Sequence, residues 1–201
     1  MIKNKQDLKF YMLCDKIALN IPQNRHVPRP VFDVIWKYEI LLRKAEYHYN
    51  KLGLMHKIFY IFYRLRYQNL GNRLSIYIFP NNFGPGLSIA HAGGIVVNAS
   101  ARIGENCRIH EGVTIGATNG IKEAAVIGDN CFLGSGSKII GAITIPNGVA
   151  VGAGAVVVKS IEREGVTVAG VPARIVSEHD SSNNIVCATK IAKELRYYGK
   201  K

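Results

Sequence analysis

Residues 126–158, VIGDNCFLGSGSKIIGAITIPNGVAVGAGAVVV, carry an aliphatic side chain at every sixth position. Extending this spacing toward the N-terminus gives eleven aliphatic positions in a row: Val97, Ile103, Ile109, Ile115, Ile121, Ile127, Leu133, Ile139, Ile145, Val151 and Val157. An α-helix repeats every 3.6 residues and a flat strand every 2.0, so neither produces this period. A short repeat of this kind predicts a parallel β-helix, in which the aliphatic side chains of successive coils stack in register.

Two other positions of the repeat fit narrow coils. Glycine often follows the aliphatic residue, and we predict tight corners there (Gly104, Gly116, Gly128, Gly134 and Gly152). Small or β-branched residues recur four positions after the aliphatic residue, and we predict that they fill the interior (Ala101, Cys107, Val113, Cys131, Ser137 and Ala155).

One corner, in FGPGLSIAHAGGIVVN at residues 83–98, breaks the period. The interval from Ile89 to Val97 is eight residues instead of six, and it contains His91 followed by AGG. We therefore predict a bulge of two residues, which the small side chains permit. An imidazole titrates near neutral pH and can take a proton from a hydroxyl group, so His91 is a candidate general base. The alternative is a polar corner residue that bonds the backbone.

The flanking segments have helical patterns. We predict helices in residues 1–75, one of them with an apolar face formed by Val31, Val34, Ile35, Tyr38, Leu42 and Ala45. A second helix, in residues 53–71, either covers the open end of the β-helix or lies on a membrane surface with its basic residues facing lipid phosphates. The β-helix should occupy residues 76–176. A polar linker and a short basic helix should occupy residues 177–201, to which we assign no chemistry.

The composition and net charge of the chain limit which partners and which cellular location we expect. The formal net charge is +12, which attracts phosphates, but no nucleic-acid-binding motif accompanies it and we predict no nucleic acid. The four cysteines have no metal-ligand spacing and indicate a reducing cytoplasm. The sequence contains no run of eighteen apolar residues and does not begin with a signal peptide. We expect a cytoplasmic protein, with a contact to the inner face of the membrane through the N-terminal region as an open alternative.

Over residues 83–176 the sequence resembles the hexapeptide-repeat acyltransferases, and within them the serine acetyltransferase branch. The resemblance rests on GPGLSIAHAGGIVVNASARIGENCRIHEGVTIG, on the stretch quoted first and on VAGVPARIV. It is greatest to the short members that are associated with capsule or other surface-polysaccharide biosynthesis. The resemblance implies a left-handed β-helix, a homotrimer, acetyl-CoA as co-substrate without a metal, and His91 as the catalytic base.

The chain departs from that branch at two places. Serine acetyltransferases carry an aspartate upstream that orients the catalytic histidine, but residues 74–82, LSIYIFPNN, contain no carboxylate. They also carry a histidine that recognises the acceptor in the loop corresponding to residues 117–125, which is ATNGIKEAA here. His110, with Glu111, is a compensating catalytic candidate about one coil from His91; a solvated corner residue is the alternative. We therefore predict a sugar hydroxyl as acceptor, with L-serine as the alternative.

The resemblance also implies where acetyl-CoA binds. In this family the pantetheine arm runs along the β-helix between subunits. Carried over by position, the cofactor-binding residues are Ser135, Gly136, Ala153 and Gly154 as backbone contacts, Lys159 and Arg174 for the phosphates, and the Gly116 N–H for the oxyanion.

Two other functions share this fold. The γ-type carbonic anhydrases need three histidines around zinc, whereas residues 76–176 contain only His91 and His110. A non-catalytic β-helix scaffold would have no need of the bulged AHAGGIVV corner. Both alternatives are disfavoured on these grounds.

Overall fold

The computed structural model describes residues 1–118 and 120–198. Within them the helices α1 (Lys5–Ala18), α2 (Val34–Tyr49) and α3 (Leu54–Leu74) precede the strands, and α4 (Ala188–Tyr198) follows a 3-10 turn at Ser182–Asn184. The strands are β1 (Ile76–Tyr77), β2 (Ser88–Ile89), β3 (Ile95–Val97), β4 (Arg102–Ile103), β5 (Arg108–Ile109), β6 (Thr114–Gly116), β7 (Val126–Ile127), β8 (Phe132–Leu133), β9 (Lys138–Ile140), β10 (Thr144–Ile145), β11 (Ala150–Val151), β12 (Val156–Val157), β13 (Thr167–Gly170) and β14 (Ala173–Ser177).

The strands form three sheets, which are the three faces of a coiled chain. Sheet A has the order β1-β3-β6-β9-β12, sheet B the order β10-β7-β4, and sheet C the order β14-β13-β11-β8-β5-β2. The pairs are parallel except β13 with β14, and Ile127 pairs with Ile145, eighteen residues further along the chain. One coil is therefore three six-residue repeats, and the predicted parallel β-helix is confirmed. Its left-handed sense stays a prediction.

The interior is filled as the repeat predicts. The aliphatic residues of the paired strands are buried in one core, together with the small residues four positions later. Side chains of one coil therefore contact those of the next throughout the stack, which is the main source of its apolar stabilisation.

Ile121 is the exception, and its place in the repeat was predicted wrongly. Its side chain is 49% exposed and lies in the loop that precedes β7. Ile115 pairs directly with Ile139, twenty-four residues away, so this coil contains six residues more than the standard eighteen. An insertion of six residues keeps the period intact in the sequence although its residues leave the coil.

Four of the five glycines predicted at corners (Gly104, Gly128, Gly134 and Gly152) are required for a reason other than the one predicted, whereas an added Cβ at Gly116 would have its nearest contact with an Ile140 methyl group, at 3.4 Å. The backbone turns through the left-handed region three residues after the aliphatic position, as at Asn106 (φ 55°), Asn130 (φ 57°) and Gly148 (φ 70°). Gly134 instead lies directly against the next coil, where an added Cβ would be 2.7 Å from the carbonyl oxygen of Val151. Glycine is needed there because coils must approach closely.

Because Gly134 contacts the next coil and Gly148 turns the backbone, substitutions at the two positions should affect stability differently. Gly134→Ala should lower the free energy of unfolding by about 1–3 kcal/mol, because its Cβ collides with backbone that cannot move independently. Gly148→Asn should change it by less than about 0.5 kcal/mol, since asparagine already occupies the equivalent corner in the two preceding coils. Urea unfolding of both variants checks the prediction. Equal losses would contradict this assignment of roles.

Helix α1 was not predicted from the sequence. Asn4 caps it, with its side chain accepting from the backbone N–H groups of Gln6 and Asp7, while Asp7 accepts from the Asn4 N–H in return. The residues NKQD at its start were therefore an available signal, a reciprocal cap. Val31 was assigned wrongly to the apolar face of α2, because it precedes the helix and is exposed.

Helix α2 closes the first coil of the β-helix. Tyr38, Leu42 and Ala45 join its core, and Arg43 is fully buried beside them. The C-terminal half of α3, which includes the buried Tyr67, packs on β1, whereas the N-terminal half of α3 is exposed. The predicted end cap is thus made by α2 and only part of α3.

The first and last helices, α1 and α4, pack against each other. Ala188 and Ala192 of α4 pack against α1 at Cys14, Ile17 and Ala18. Residues 199–201 of the predicted C-terminal segment lie outside the described residues, and the division at residues 75 and 176 stays a prediction. Among residues 1–118 and 120–198, no helix is both long and apolar enough to cross a membrane.

Candidate active site

The corners between sheets C and A stack along one edge of the β-helix. The Gly112 N–H donates to the carbonyl of Gly93 (2.7 Å) in the preceding coil. In the same way Gly136 donates to Glu111 and Gly154 donates to Ser135, each at 2.8 Å. Residues 19 to 25 positions apart in the sequence are therefore neighbours along this edge. We call it the corner stack (residues 90–94, 110–112, 134–136 and 152–154).

His91 lies in the first corner of the stack. Ile89 pairs with Ile109, twenty residues away, so this coil has two residues more than eighteen, and the predicted bulge is confirmed. Gly93 (φ 127°) and Gly94 (φ 63°) form it in conformations that disfavour other residues. The His91 side chain is exposed to solvent, and a substrate can reach it.

The second histidine faces the first. The rings of His91 and His110 are perpendicular, with centroids 5.9 Å apart. His110 also packs edge-on against the ring of Phe132, with centroids 5.1 Å apart. Its Nδ1 atom lies 3.4 Å from the Ser135 hydroxyl oxygen and 3.8 Å from Glu111 Oε2. The structure thus brings together the two histidines that the sequence analysis singled out.

The electrostatics keep His110 neutral. Burial lowers the pKa of His110 below 6.5, and Arg108 lowers it further. The Ser135 hydroxyl group lowers the pKa of the neighbouring Glu111 carboxyl group. Near neutral pH a neutral imidazole therefore stands beside an ionised carboxylate, which favours a proton on Nδ1. Nε2 is then the nitrogen that can accept a hydrogen bond or a proton.

Four of the predicted cofactor residues belong to the corner stack. Ser135 was predicted as a backbone contact, but its side chain also contacts His110. Gly136 and Gly154 leave open space where a Cβ would stand, whereas their N–H groups already bond the preceding coil. These two glycines can give a thin ligand room, but they cannot donate to it. Ala153 is exposed beside Gly154 in the last corner of the stack.

The other predicted cofactor residues lie elsewhere. Gly116 ends β6 at the opposite side of sheet A and accepts from the Gly141 N–H (2.8 Å). Lys159 and Arg174 line one cavity of about 290 Å³ near the last coil. The structure therefore does not bring these three to the His91 corner within one chain.

No protein-family model matches the chain, and no curated protein matches it in sequence. Among solved structures, serine acetyltransferase from Brucella abortus strain S19 is 26% identical with a TM-score of 0.68, covering 88% of this chain and 70% of that one. The same enzyme in complex with coenzyme A is 26% identical with a TM-score of 0.66, and the match covers 87% of this chain and 68% of that one. Serine acetyltransferase from Vibrio cholerae O1 biovar El Tor N16961 is 26% identical with a TM-score of 0.66, and the match covers 86% of this chain and 67% of that one.

The chain has the fold of the serine acetyltransferases. The predicted enzyme class, an acyltransferase that uses acetyl-CoA, is confirmed by these neighbours. The particular branch, the acceptor and the roles of single residues are finer questions, which the comparisons leave as predictions.

Lys138 is one residue near the corner stack of this acetyltransferase fold that the sequence analysis missed. Its Nζ atom donates to the carbonyl of Gly112 and to the Thr114 hydroxyl group (3.2 Å). It places a positive charge next to the corner that contains His110. In the sequence it looks like any outward-facing lysine of a strand, so only the cross-coil contact reveals its position.

The described part of the chain, residues 1–118 and 120–198, contains no group of three or more histidine, cysteine or acidic side chains that could hold a metal ion.

Proposed function

We propose that this protein is an acetyl-CoA-dependent O-acetyltransferase that acts on a sugar hydroxyl group in surface-polysaccharide biosynthesis. The observation that carries the proposal is the exposed His91 in a bulged corner, facing His110, with bare backbone in the next corners of the same edge. Acetyl transfer needs a base for the hydroxyl proton and a narrow groove for the pantetheine arm, and the corner stack offers both.

The proposed reaction begins with His91. Its imidazole accepts the proton of the acceptor hydroxyl group while the oxygen attacks the thioester carbonyl carbon of acetyl-CoA. The carbon–oxygen bond forms and gives a tetrahedral oxyanion. Collapse of this intermediate breaks the carbon–sulfur bond, and the thiolate of coenzyme A accepts the proton from the His91 imidazolium. The products are the O-acetyl ester and free coenzyme A.

His110 and Glu111 replace the missing upstream aspartate in this proposal. Glu111 and Ser135 contact the Nδ1 side of His110, so the ring is held in one orientation and one tautomer. The ring in turn packs against His91 and limits how it can turn. In the aspartate's place, the chain uses a carboxylate from the following coil, acting through a second histidine.

A homotrimer of left-handed β-helices would complete the site. The predicted residues lie on two edges of one chain, with Gly116 separated from the corner stack by the width of sheet A, roughly 13 Å for four extended residues. In such a trimer, a cleft between two copies would bring the corner stack of one against the Gly116 edge of the other. Lys159 and Arg174 would then bind the phosphates of the cofactor, which extends past the last coil.

The surroundings of His91 support the proposed acceptor. Ala90, Ala92, Gly93 and Gly94 leave space for a bulky acceptor. The loop at residues 117–125 has no histidine for an amino-acid substrate. L-serine is the second candidate, because the structural neighbours are serine acetyltransferases. A rebuilt loop could bind the same amino acid through other side chains.

Thiol release from acetyl-CoA by the purified protein tests the proposal. One arm offers L-serine, and the other a panel of sugars and nucleotide sugars. Release that depends on a sugar would support the proposal, whereas release that depends on serine would establish the alternative acceptor. Saturable coenzyme A binding without release in either arm would favour a non-catalytic scaffold, if a lipid-linked glycan is also inert.

The role of Glu111 gives a separate prediction. In the wild-type protein the His110 imidazole should titrate below 6.5, because burial and Arg108 disfavour its cation. Glu111→Gln removes the one charge that favours this cation, so the pKa of His110 should fall further, and kcat should drop by about tenfold. Histidine NMR titration and steady-state kinetics measure the two effects. An unchanged pKa of His110 would rule out the proposed contact.

A further inference from the structure

The first half of α3 exposes a continuous apolar face. Seven large side chains on it are 42–73% exposed: Leu54, Met55, Ile58, Phe59, Ile61, Phe62 and Leu65. At 100° per residue they occupy an arc of about 160° around the helix. Scattered exposed apolar residues are ordinary, but a contiguous set of this size indicates an interaction surface.

The opposite side of α3 is fixed to the protein. Tyr63 stacks on His48 of α2, with ring centroids 5.6 Å apart, and Tyr60 contacts Tyr49 at 5.2 Å. The α2–α3 pair therefore holds the helix in place, and its apolar arc points away from the core. Phe59, at the edge of the arc, also contacts the ring of His48 (5.1 Å), and the rest of the arc is left uncovered by folding.

The borders of the arc are positively charged. By the same helical spacing, Lys57 and Arg64 lie about 40–60° outside one border. Arg66 lies just inside the other border, next to Phe59, and Arg73 follows about two turns beyond Leu65. The guanidinium group of Arg66 lies over the ring of Phe62 (5.2 Å), so charge and apolar surface are adjacent. Helix α3 contains no aspartate or glutamate, and the sequence has none between Glu46 and Glu105.

The apolar arc and its neighbouring cations together indicate what binds to this surface of α3. A second copy of the chain docking through the same face would bring these cations together with no acidic partner on the helix. An anionic bilayer matches both features, since its acyl region accepts the apolar arc and its phosphates accept the flanking cations. We propose that α3 lies in the interface of an anionic membrane, with its axis in the membrane plane and its apolar arc toward the acyl chains.

This surface goes beyond the proposed acetyl transfer. It would hold the enzyme at the inner face of the membrane, where a lipid-linked acceptor would be within reach. Binding to vesicles is measured without substrate, so the membrane proposal and the proposed reaction can fail independently.

The experiment is co-sedimentation of the full chain with vesicles at low salt. Vesicles of phosphatidylcholine with 30% phosphatidylglycerol should bind the protein at least tenfold more tightly than pure phosphatidylcholine, and about 0.5 M salt should weaken the binding. Combined Lys57→Gln, Arg64→Gln and Arg66→Gln should weaken it by about 100-fold. Combined Ile61→Gln and Leu65→Gln, which keeps every charge, should weaken it at least tenfold.

The matched control removes three charges elsewhere. Combined Lys122→Gln, Lys190→Gln and Lys193→Gln lowers the net charge equally and should change binding less than threefold. An equal loss in this control, or no binding by the wild type, would overturn the proposal. So would an apolar-face variant that leaves vesicle binding intact but dissociates the protein in sedimentation velocity, because that result identifies an interface between copies. Thermal unfolding confirms that each variant is folded.

Discussion

His91→Ala should lower kcat for acetyl transfer by about 10²–10⁴-fold, because the acceptor hydroxyl then loses its general base. The side chain is exposed and lies in a bulge that packs nothing into the core, so the fold should survive the change. Affinity for coenzyme A should stay within about threefold, since the proposed donor contacts lie in later corners. Steady-state thiol release and calorimetric titration with coenzyme A separate the two effects.

His26→Ala is the matched control, because His26 is also an exposed histidine but lies in the segment between α1 and α2. It should retain wild-type kcat. If His91→Ala kept more than a tenth of the activity, His110 would become the better candidate for the base. His110→Ala would then show the larger loss, and the assignment of the two histidines would be reversed.

Arg43→Met should destabilise the fold by about 3–5 kcal/mol. Arg43 is fully buried and bonds Asp15 Oδ2 at 2.7 Å and Glu46 Oε2 at 2.9 Å. It also donates to the carbonyls of Phe83 (2.9 Å) and Gly84 (2.6 Å), at the start of the β-helix. Methionine fills similar space but removes the cation from two buried carboxyl groups, which keep only backbone N–H donors from Gly86, Leu87 and Asn81. It also removes the donor to the two carbonyls. Urea unfolding measures the loss.

An exposed ion pair provides the comparison. Arg163 pairs with Glu178, and both side chains are more than half exposed. Arg163→Met should leave the urea midpoint unchanged within error, because exposed pairs contribute little. Arg43→Lys should fall between the two, since lysine keeps the charge but cannot reach four acceptors at once. A midpoint for Arg43→Met close to the wild type would mean that the carboxyl groups are protonated and need no cation.

The buried carboxyl groups explain why this comparison is informative. Burial raises the pKa of Asp15 and of Glu46, while Arg43 lowers both. Glu39 is buried nearby, and burial raises its pKa well above the usual value. A raised folded-state pKa favours the folded protein at low pH and loses that contribution as pH increases. Without Arg43, unfolding should therefore become easier as the pH rises above about 4.5.

Much of the β-helix could be predicted because the pattern that defines it lies within short stretches of the sequence. Six residues define one side of a coil, and the repeated pattern of aliphatic, small and corner residues needs no knowledge of distant contacts. The bulge at His91 was visible for the same reason, as two additional residues in an otherwise regular spacing. Histidine in that bulge and the +12 charge were likewise evident from the residues alone.

Contacts between residues far apart in the chain could not be predicted from the sequence. Ile121 has the right spacing but lies in an insertion, because a loop of six residues leaves the period unchanged. Ser135 reaches His110 only because coils twenty-four residues apart stack, and Arg43 reaches Asp15 and the first coil only after α1 and α2 pack on it. Periodicity thus determined the coils and the corner that holds His91. The tertiary structure determined what surrounds that corner, because its neighbours come from other coils whose pairing depends on loop lengths and packing.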